Sequence, residues 1–203
     1  MRAARIRTLV LAAHGSADPR YPAVFDWIAA RIVGNRPDLD VVVGYLDHCT
    51  PRLAELPTEG AVVVPMLLGS SFHLTVDIPS AAPDAIIAAP IGPDAWLMAV
   101  VADRLTEAGW TAGTPVTLAA AGEVGLADAA SLLAELIGVA VTPVLVGSEP
   151  IRGEAVATYL LAPGHFADLI GACQASIISA PIGADPRVAE VAMKRYDAAL
   201  PPF

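Results

Sequence analysis

Short apolar runs rich in β-branched residues alternate along the chain with longer stretches whose apolar residues recur at helical spacing. This alternation is typical of βα units around parallel sheets that are buried on both faces. The apolar runs predict eight strands, at residues 8–13, 41–46, 61–68, 85–88, 115–120, 139–146, 155–161 and 175–179. Helices are predicted at 22–33, 94–108, 126–137 and 186–200, with shorter ones after Thr50 and near His73 and His165. The predicted fold class is therefore α/β.

Several predicted helix boundaries have a local cause. Gly34, Gly109 and Gly138 follow the last helical residues and predict left-handed stops, since glycine adopts that conformation without strain. Pro51 after Thr50 predicts a capped first turn.

The second half of the chain echoes the first. The hexapeptide APIGPD at 89–94 returns as APIGAD at 180–185, and Arg104 and Arg195 follow the two copies at the same offset. LVLAAHG at 9–15 is echoed by VTLAAAG at 116–122, and LLGSSFH at 67–73 by LLAPGH at 160–165. Three echoes in the same order indicate a duplication. We therefore predict two similar lobes, residues 1–110 and 111–203, each with a four-stranded parallel sheet flanked by helices, the second being a degenerate repeat.

Composition narrows the class of protein. Hydrophobic residues make up 55% and charged residues 16%, but no apolar run approaches the roughly 20 residues that span a bilayer. The apolar stretch at 8–13 is of strand length and runs into a polar motif, so we expect a cytoplasmic protein without a signal peptide or membrane partner. Cys49 and Cys173 show no metal or disulfide spacing and are expected to be free thiols. A net charge of −9 and a single lysine, Lys194, argue against nucleic acid as a partner.

Three polar residues follow the first three strands, where parallel sheets bind ligands. His14 comes after the first strand, Asp47 ends the second and His73 follows the third. Alone, each histidine is more often a turn or hydrogen-bonding residue, and Asp47 more often a helix cap. Together, two imidazoles and a carboxylate at one sheet edge suit iron, cobalt, nickel or zinc. The adjacent His48 is predicted to face away from Asp47, because neighbouring strand side chains point to opposite faces.

The second lobe lacks most of this set. Ala121 stands at the position of His14, no carboxylate clearly matches Asp47, and His165 alone survives from the third position. We predict one metal site, in the first lobe, with the second lobe as a wall for the substrate. His165 is either a proton carrier, an extra contact or a structural residue of the following helix.

Three motifs carry a family resemblance. HGSADP at 14–19, YLD at 45–47 and HLTVDIP at 73–79 resemble the class II chelatases, the sirohydrochlorin cobaltochelatases and ferrochelatases of the cobalamin and siroheme pathways. The resemblance covers residues 9–109 closely, and the second lobe more loosely through APIG and LLAPGHFAD. It implies a lyase that inserts Fe2+, Co2+ or Ni2+ into a sirohydrochlorin-type tetrapyrrole. Short members of the family pair as homodimers, so this duplicated chain is expected to be a monomer.

The resemblance also implies roles for residues. His14 and His73 would bind the metal, and Asp47 stands where the family usually carries glutamate. Ala17 stands where the family often has arginine, so either Arg20 takes over the anion contact or that contact is lost. The metal is a substrate held by exchangeable ligands, and a neutral imidazole, of His73 or His165, would accept the pyrrole protons. His14, His73 and His165 are thus the candidate catalytic residues.

The expected substrate also predicts which residues bind its carboxylates and whether a cofactor is needed. A substrate rich in carboxylates predicts contacts with Ser16 and with the loop arginines Arg20, Arg52 and Arg152. No organic cofactor is expected, and no glycine-rich nucleotide-binding motif is present in the sequence.

Other interpretations of these residues remain. A tetrapyrrole or metal carrier would use the same ligands without turnover. A phosphotransfer enzyme would use His14 as nucleophile, although Ala13 stands where such an enzyme carries arginine. A duplicated binding module without metal is the third alternative.

Overall fold

The structure is a computed structural model that describes residues 8–69 and 72–201. Its strands form two four-stranded parallel sheets with the same topology, β2-β1-β3-β4 and β6-β5-β7-β8. The first sheet contains β1 (Thr8–Ala13), β2 (Asp40–Tyr45), β3 (Val62–Pro65) and β4 (Ile86–Ile87). The second contains β5 (Val116–Ala120), β6 (Val141–Leu145), β7 (Ala155–Tyr159) and β8 (Ile177–Ile178). The α/β class and the two similar lobes are thereby confirmed.

The helices flank these sheets close to their predicted positions. They are α1 (Arg20–Asn35), α2 (Ile78–Ala81), α3 (Ala95–Glu107), α4 (Leu126–Ile137), α5 (His165–Gly171) and α6 (Pro186–Ala199). A 3₁₀ turn at Leu53–Glu55 and a π-helical turn at His73–Asp77 complete the set.

Two predicted helix boundaries were wrong. Gly109 and Gly138 end their helices with φ angles of 95° and 70° as predicted, but Gly34 lies inside α1, which continues to Asn35. After Thr50, the short turn begins only at Leu53, because the carboxylate of Glu55 accepts the backbone N–H of Arg52 at 3.0 Å and caps the turn there.

The central strands are buried on both faces, which explains their continuous apolar sequences. In β1, Leu9 pairs with Val41 on one side and Val62 on the other, and the five residues from Leu9 to Ala13 are buried. In β5, Val116 pairs in the same way with Val141 and Ala155. The parallel register brings the carboxyl ends of the strands in each lobe to one edge, where the loops with the candidate residues begin.

Two helices are exchanged between the lobes. α3 packs against α4 and β7 of the second lobe, whereas α6 packs against α1 and β3 of the first. The guanidinium of Arg104 donates to the carbonyl of Ile182 at 3.2 Å, and that of Arg195 donates to the carbonyl of Pro90 at 2.9 Å. The repeated APIG segments are therefore points at which the halves interlock. The division at residue 110 stays a prediction, because each half in sequence contributes a helix to the other lobe.

The structure also bears on membrane insertion and on the two cysteines. Within the described ranges, no helix has the length and apolar character needed to cross a membrane. Cys49 is buried, Cys173 is half-buried, and both are free thiols, as predicted.

Candidate functional site

A cleft of about 1160 Å³ opens at the carboxyl ends of the strands and is lined by both lobes. The first lobe contributes residues 14–21, 48, 66–69 and 73, and the second contributes 120–122, 124, 126 and 159–168. The chain has four histidines, and all of them, His14, His48, His73 and His165, line this cleft. A concave, largely apolar cavity with a few converging polar groups is the usual form of a ligand site.

His14 is held by the tight turn that follows β1. Gly15 has a φ of 98°, and a Cβ at this position would overlap the main-chain oxygen of Asp47, so this turn requires glycine. The backbone N–H of Asp47 donates to the carbonyl of His14 at 2.7 Å. The imidazole Nδ1 of His14 lies 3.0 Å from the carbonyl oxygen of Gly15. The turns after β1 and β2 are therefore packed against each other directly.

His73 begins the π-helical turn beyond β3, and its ring lies against that of His14. The two ring centroids are 4.7 Å apart and the ring planes are inclined at 72°. An imidazole nitrogen binds a divalent transition metal at about 2.0–2.1 Å, so two rings this close can share one ion. The structure thus brings together two of the three residues predicted to bind metal.

Asp47, the third predicted ligand, does not line the cleft. Its Oδ1 accepts hydrogen bonds from Nη1 of Arg52 and from the backbone N–H of His48, both at 2.8 Å. The hydrogen bond from Arg52 is the main cause that lowers the pKa of Asp47. No three His, Cys, Asp or Glu side chains in residues 8–69 and 72–201 are grouped so that they could hold one ion. The carboxylate is engaged with Arg52 instead of the two imidazoles.

His48 was missed by the sequence prediction, which turned it away from Asp47. It lines the cleft, its ring centroid is 6.4 Å from that of His14, and its Nε2 is 3.5 Å from Oδ2 of Asp47. The prediction was wrong because β2 ends at Tyr45, so strand alternation no longer applies. His48 instead has a left-handed φ of 59°, a conformation in which histidine, asparagine and aspartate are enriched. Its position beyond the strand end was the available signal.

The predicted contacts with substrate carboxylates divide into two groups. Ser16 and Arg20 line the cleft. Arg52 and Arg152 do not, since Arg52 is bound to Asp47 and to the carbonyl of Leu46, and Arg152 lies before β7, at the amino end of that strand. Arg152 lines a smaller cavity of about 670 Å³ in the second lobe. The predicted basic rim is therefore reduced to Arg20.

Arg20 is itself paired with carboxylates. Its Nη2 lies 2.6 Å from Asp18 and 3.9 Å from Asp168, which belongs to the opposite wall. The hydrogen bond from the Arg20 side chain lowers the pKa of Asp18 to about 2. Arg20 consequently spans the cleft mouth as part of a small charged cluster.

The walls between these polar groups are mainly apolar. Tyr21 packs beneath the His14 turn, and burial raises its pKa to about 12, so it is a neutral phenol. Across the cleft, the Tyr159 hydroxyl donates to the carbonyl of Leu68 at 3.2 Å and ties the two walls together. His165 is exposed at the start of α5, with its ring 5.6 Å from that of Phe166. The remaining apolar lining residues include Met66, Leu67, Val124, Leu126, Leu160 and Leu161.

Comparison with solved structures shows which fold this is. DR2241 from Deinococcus radiodurans, described as a multi-domain protein with structural similarity to chelatases and two additional novel domains, matches with a TM-score of 0.71 and 19% identity. The match covers 95% of this chain and 55% of DR2241, so the chain spans about half the length of that protein. SirB from Bacillus subtilis, solved with Fe3+, matches with a TM-score of 0.65 and 20% identity over 96% of each chain. The fold is that of the chelatases.

A sequence comparison adds a family likeness. Residues 8–108 match the family model described as CbiX. Because this match covers just under half of the chain, the protein is described as similar to the CbiX family. Its resemblance to the class II chelatases is thereby confirmed. A comparison with curated protein sequences found no match.

Proposed function

We propose that this protein is a sirohydrochlorin chelatase, which inserts Fe2+ or Co2+ into a sirohydrochlorin-type tetrapyrrole in siroheme or cobalamin biosynthesis. The observation that carries the proposal is the pair of imidazoles, His14 and His73, whose centroids lie 4.7 Å apart in a cleft lined by both lobes. The CbiX family and the likeness to SirB, solved with Fe3+, support it. A cavity of about 1160 Å³ has room for a macrocycle.

The metal enters as a substrate held by His14 and His73. In both rings Nδ1 lies beside a protein oxygen, at 3.0 Å from Gly15 and 2.6 Å from Asp77. Donation from Nδ1 places the lone pair of a neutral imidazole on Nε2, the nitrogen that then binds the ion. Imidazoles bind iron, cobalt and nickel without the tight hold of a thiolate cage, so the ion can pass to the pyrrole nitrogens. In this proposal Asp47 is a weaker third ligand than the imidazoles, because its carboxylate is held by Arg52.

The second wall receives the macrocycle and its protons. Two pyrrole N–H protons leave as the metal enters, and an imidazole at neutral pH can accept them one at a time, releasing each to solvent before it takes the next. His165 is the imidazole that the second lobe presents to the cleft, and we assign it this role. Ser16 and Arg20 contact substrate carboxylates at the mouth, while the apolar lining packs against the ring. We further infer that the protein acts as a cytoplasmic monomer, since the duplicated chain supplies both walls.

An anaerobic insertion assay tests this function. Sirohydrochlorin is mixed with Fe2+, Co2+ or Ni2+, and its absorption spectrum is followed with and without the protein. We expect acceleration by the wild type and a loss of at least about tenfold in rate, or about 1.4 kcal/mol, in His14→Ala and His73→Ala. Arg31→Ala, a change of an exposed arginine on α1, is the matched control and should keep the full rate. If the protein binds the tetrapyrrole without accelerating insertion of any of these ions, it is a carrier.

A further inference from the structure

The carboxylate of Asp77 lies against the imidazole of His73. Oδ2 of Asp77 is 2.6 Å from Nδ1 of His73, and such a short contact is typical of hydrogen bonds that involve an ionised partner. The two side chains are 35% and 37% exposed, so solvent screens the contact only in part. A neutral imidazole that donates from Nδ1 to this carboxylate carries its lone pair on Nε2.

The contact depends on an unusual backbone at this point. His73–Asp77 forms a π-helical turn in which the N–H of Ile78 donates to the carbonyl of His73. Pro79 follows immediately, and proline lacks an N–H and clashes with the carbonyl four residues earlier in a regular α-helix. The Asp-Ile-Pro sequence thus favours the wider turn. Such turns occur frequently at functional sites.

Among residues 8–69 and 72–201, no carboxylate lies as close to another imidazole of the cleft. Nδ1 of His14 faces the neutral carbonyl of Gly15. His48 lies 3.5 Å from Asp47, a carboxylate shared with Arg52. In the second lobe, the residue four positions after His165 is Leu169. A close carboxylate–imidazole pair therefore occurs at His73, on the wall where we place the metal.

We propose that Asp77 is a positioning residue for the metal: it fixes the tautomer and ring orientation of His73 so that Nε2 faces the ion shared with His14. A carboxylate on the second nitrogen also makes the imidazole a stronger ligand. This inference rests on the proposed function in so far as His73 must bind the metal. Asp77 itself does not contact the ion.

Co2+ binding, followed by visible absorption in the absence of any tetrapyrrole, tests the proposal. Loss of such a supporting carboxylate typically weakens metal affinity by about 10–100-fold, and we expect Asp77→Ala to fall in this range. Asp84→Ala, which removes an exposed carboxylate farther along the chain, should bind as the wild type does. Asp77→Asn keeps an acceptor oxygen and should lose less affinity, and it decides the question if Asp77→Ala does not fold.

A double-mutant comparison separates positioning from a general structural role. If Asp77 acts through His73, Asp77→Ala should cause no further loss of Co2+ affinity in a His73→Ala background. The proposal is overturned if Asp77→Ala binds Co2+ as tightly as the wild type does. It is also overturned if Asp77→Ala loses as much Co2+ affinity in the His73→Ala background as it does when His73 is present. If instead the wild type binds Co2+ through His73 but accelerates no insertion, the proposed function fails and the role of Asp77 stands.

Discussion

Arg195 on α6 forms an ion pair with Asp94 at 3.0 Å, although 101 residues separate them in the sequence. Asp94 also accepts the backbone N–H of Trp96 and thereby caps α3. The same guanidinium donates to the carbonyl of Pro90. One side chain from the end of the chain thus holds both the loop after β4 and the start of the exchanged helix.

Replacing Arg195 should therefore destabilise the whole protein. The two side chains are 24% and 16% exposed, so the contacts are partly shielded from water. For Arg195→Met we expect a loss of about 1–3 kcal/mol in the free energy of unfolding, measured with urea, since the bonds of a charged donor are removed. Arg31→Met, at an exposed position of α1, should change stability by less than about 0.5 kcal/mol. Equal effects of the two variants would contradict this role.

Separating the two halves of the sequence should prevent folding of either. α3 belongs to residues 1–110, but its buried side chains, which include Leu97, Val101 and Leu105, lie on the helix that packs against α4 and β7. A fragment of residues 1–110 would expose this apolar surface, so we expect no cooperative unfolding transition in circular dichroism. Co-expression with residues 111–203 should restore the transition. Cooperative unfolding of the fragment alone would show that the predicted division at 110 separates independent domains.

The sequence allowed the elements to be predicted because each depends on local pattern. The strands are short buried runs, and α4 begins and ends where its periodicity and Gly138 indicate. The exchange of α3 and α6 was not predicted, since helical periodicity shows that a face is buried but not which sheet covers it. The equal offsets of Arg104 and Arg195 were visible, but their partners are backbone carbonyls, which no side-chain pattern identifies.

The candidate site was also predictable only in part. His14 and His73 follow neighbouring parallel strands, and topology alone brings such residues to one edge. The turn after β2 was not predictable by the same rule, because the direction of a side chain beyond a strand end depends on turn conformation. Asp47 and His48 were therefore each assigned a direction that differs from the observed one.

Gly15 should be indispensable for the packing of the two turns at the proposed metal site. A Cβ there would overlap the main-chain oxygen of Asp47, and the φ of 98° is unfavourable for other residues. Gly60 has a φ of 68° with open space around it, so Gly60→Ala reports the conformational cost alone, about 1–2 kcal/mol. We expect Gly15→Ala to lower the urea unfolding free energy by clearly more than Gly60→Ala and to weaken Co2+ binding. Similar losses in both variants would show that the turn after β2 can move aside.

The Asp18–Arg20 pair should contribute to stability in a defined range of pH. Arg20 lowers the pKa of Asp18 from 3.8 to about 2, so the folded protein favours the ionised carboxylate. This contribution is fully present above about pH 4 and is lost as the pH falls through 2. The stability advantage of the wild type over Asp18→Asn should therefore shrink between about pH 4 and pH 2. In an Arg20→Gln background, the same comparison should show a smaller dependence on pH, and an unchanged one would exclude Arg20 as the cause.

His48 and Asp47 can be compared directly as contributors to metal binding. Asparagine tolerates the left-handed φ of 59° at position 48, so His48→Asn removes the imidazole while keeping the turn. Asp47→Asn keeps an acceptor for the His48 N–H but removes the charge that binds Arg52. Because His48 lines the cleft and Asp47 does not, we expect His48→Asn to weaken Co2+ binding by about tenfold, or about 1.4 kcal/mol. The loss in Asp47→Asn should be smaller. The reverse order would mean that the carboxylate leaves Arg52 when the ion arrives, as the predicted ligand set of two imidazoles and an acid requires.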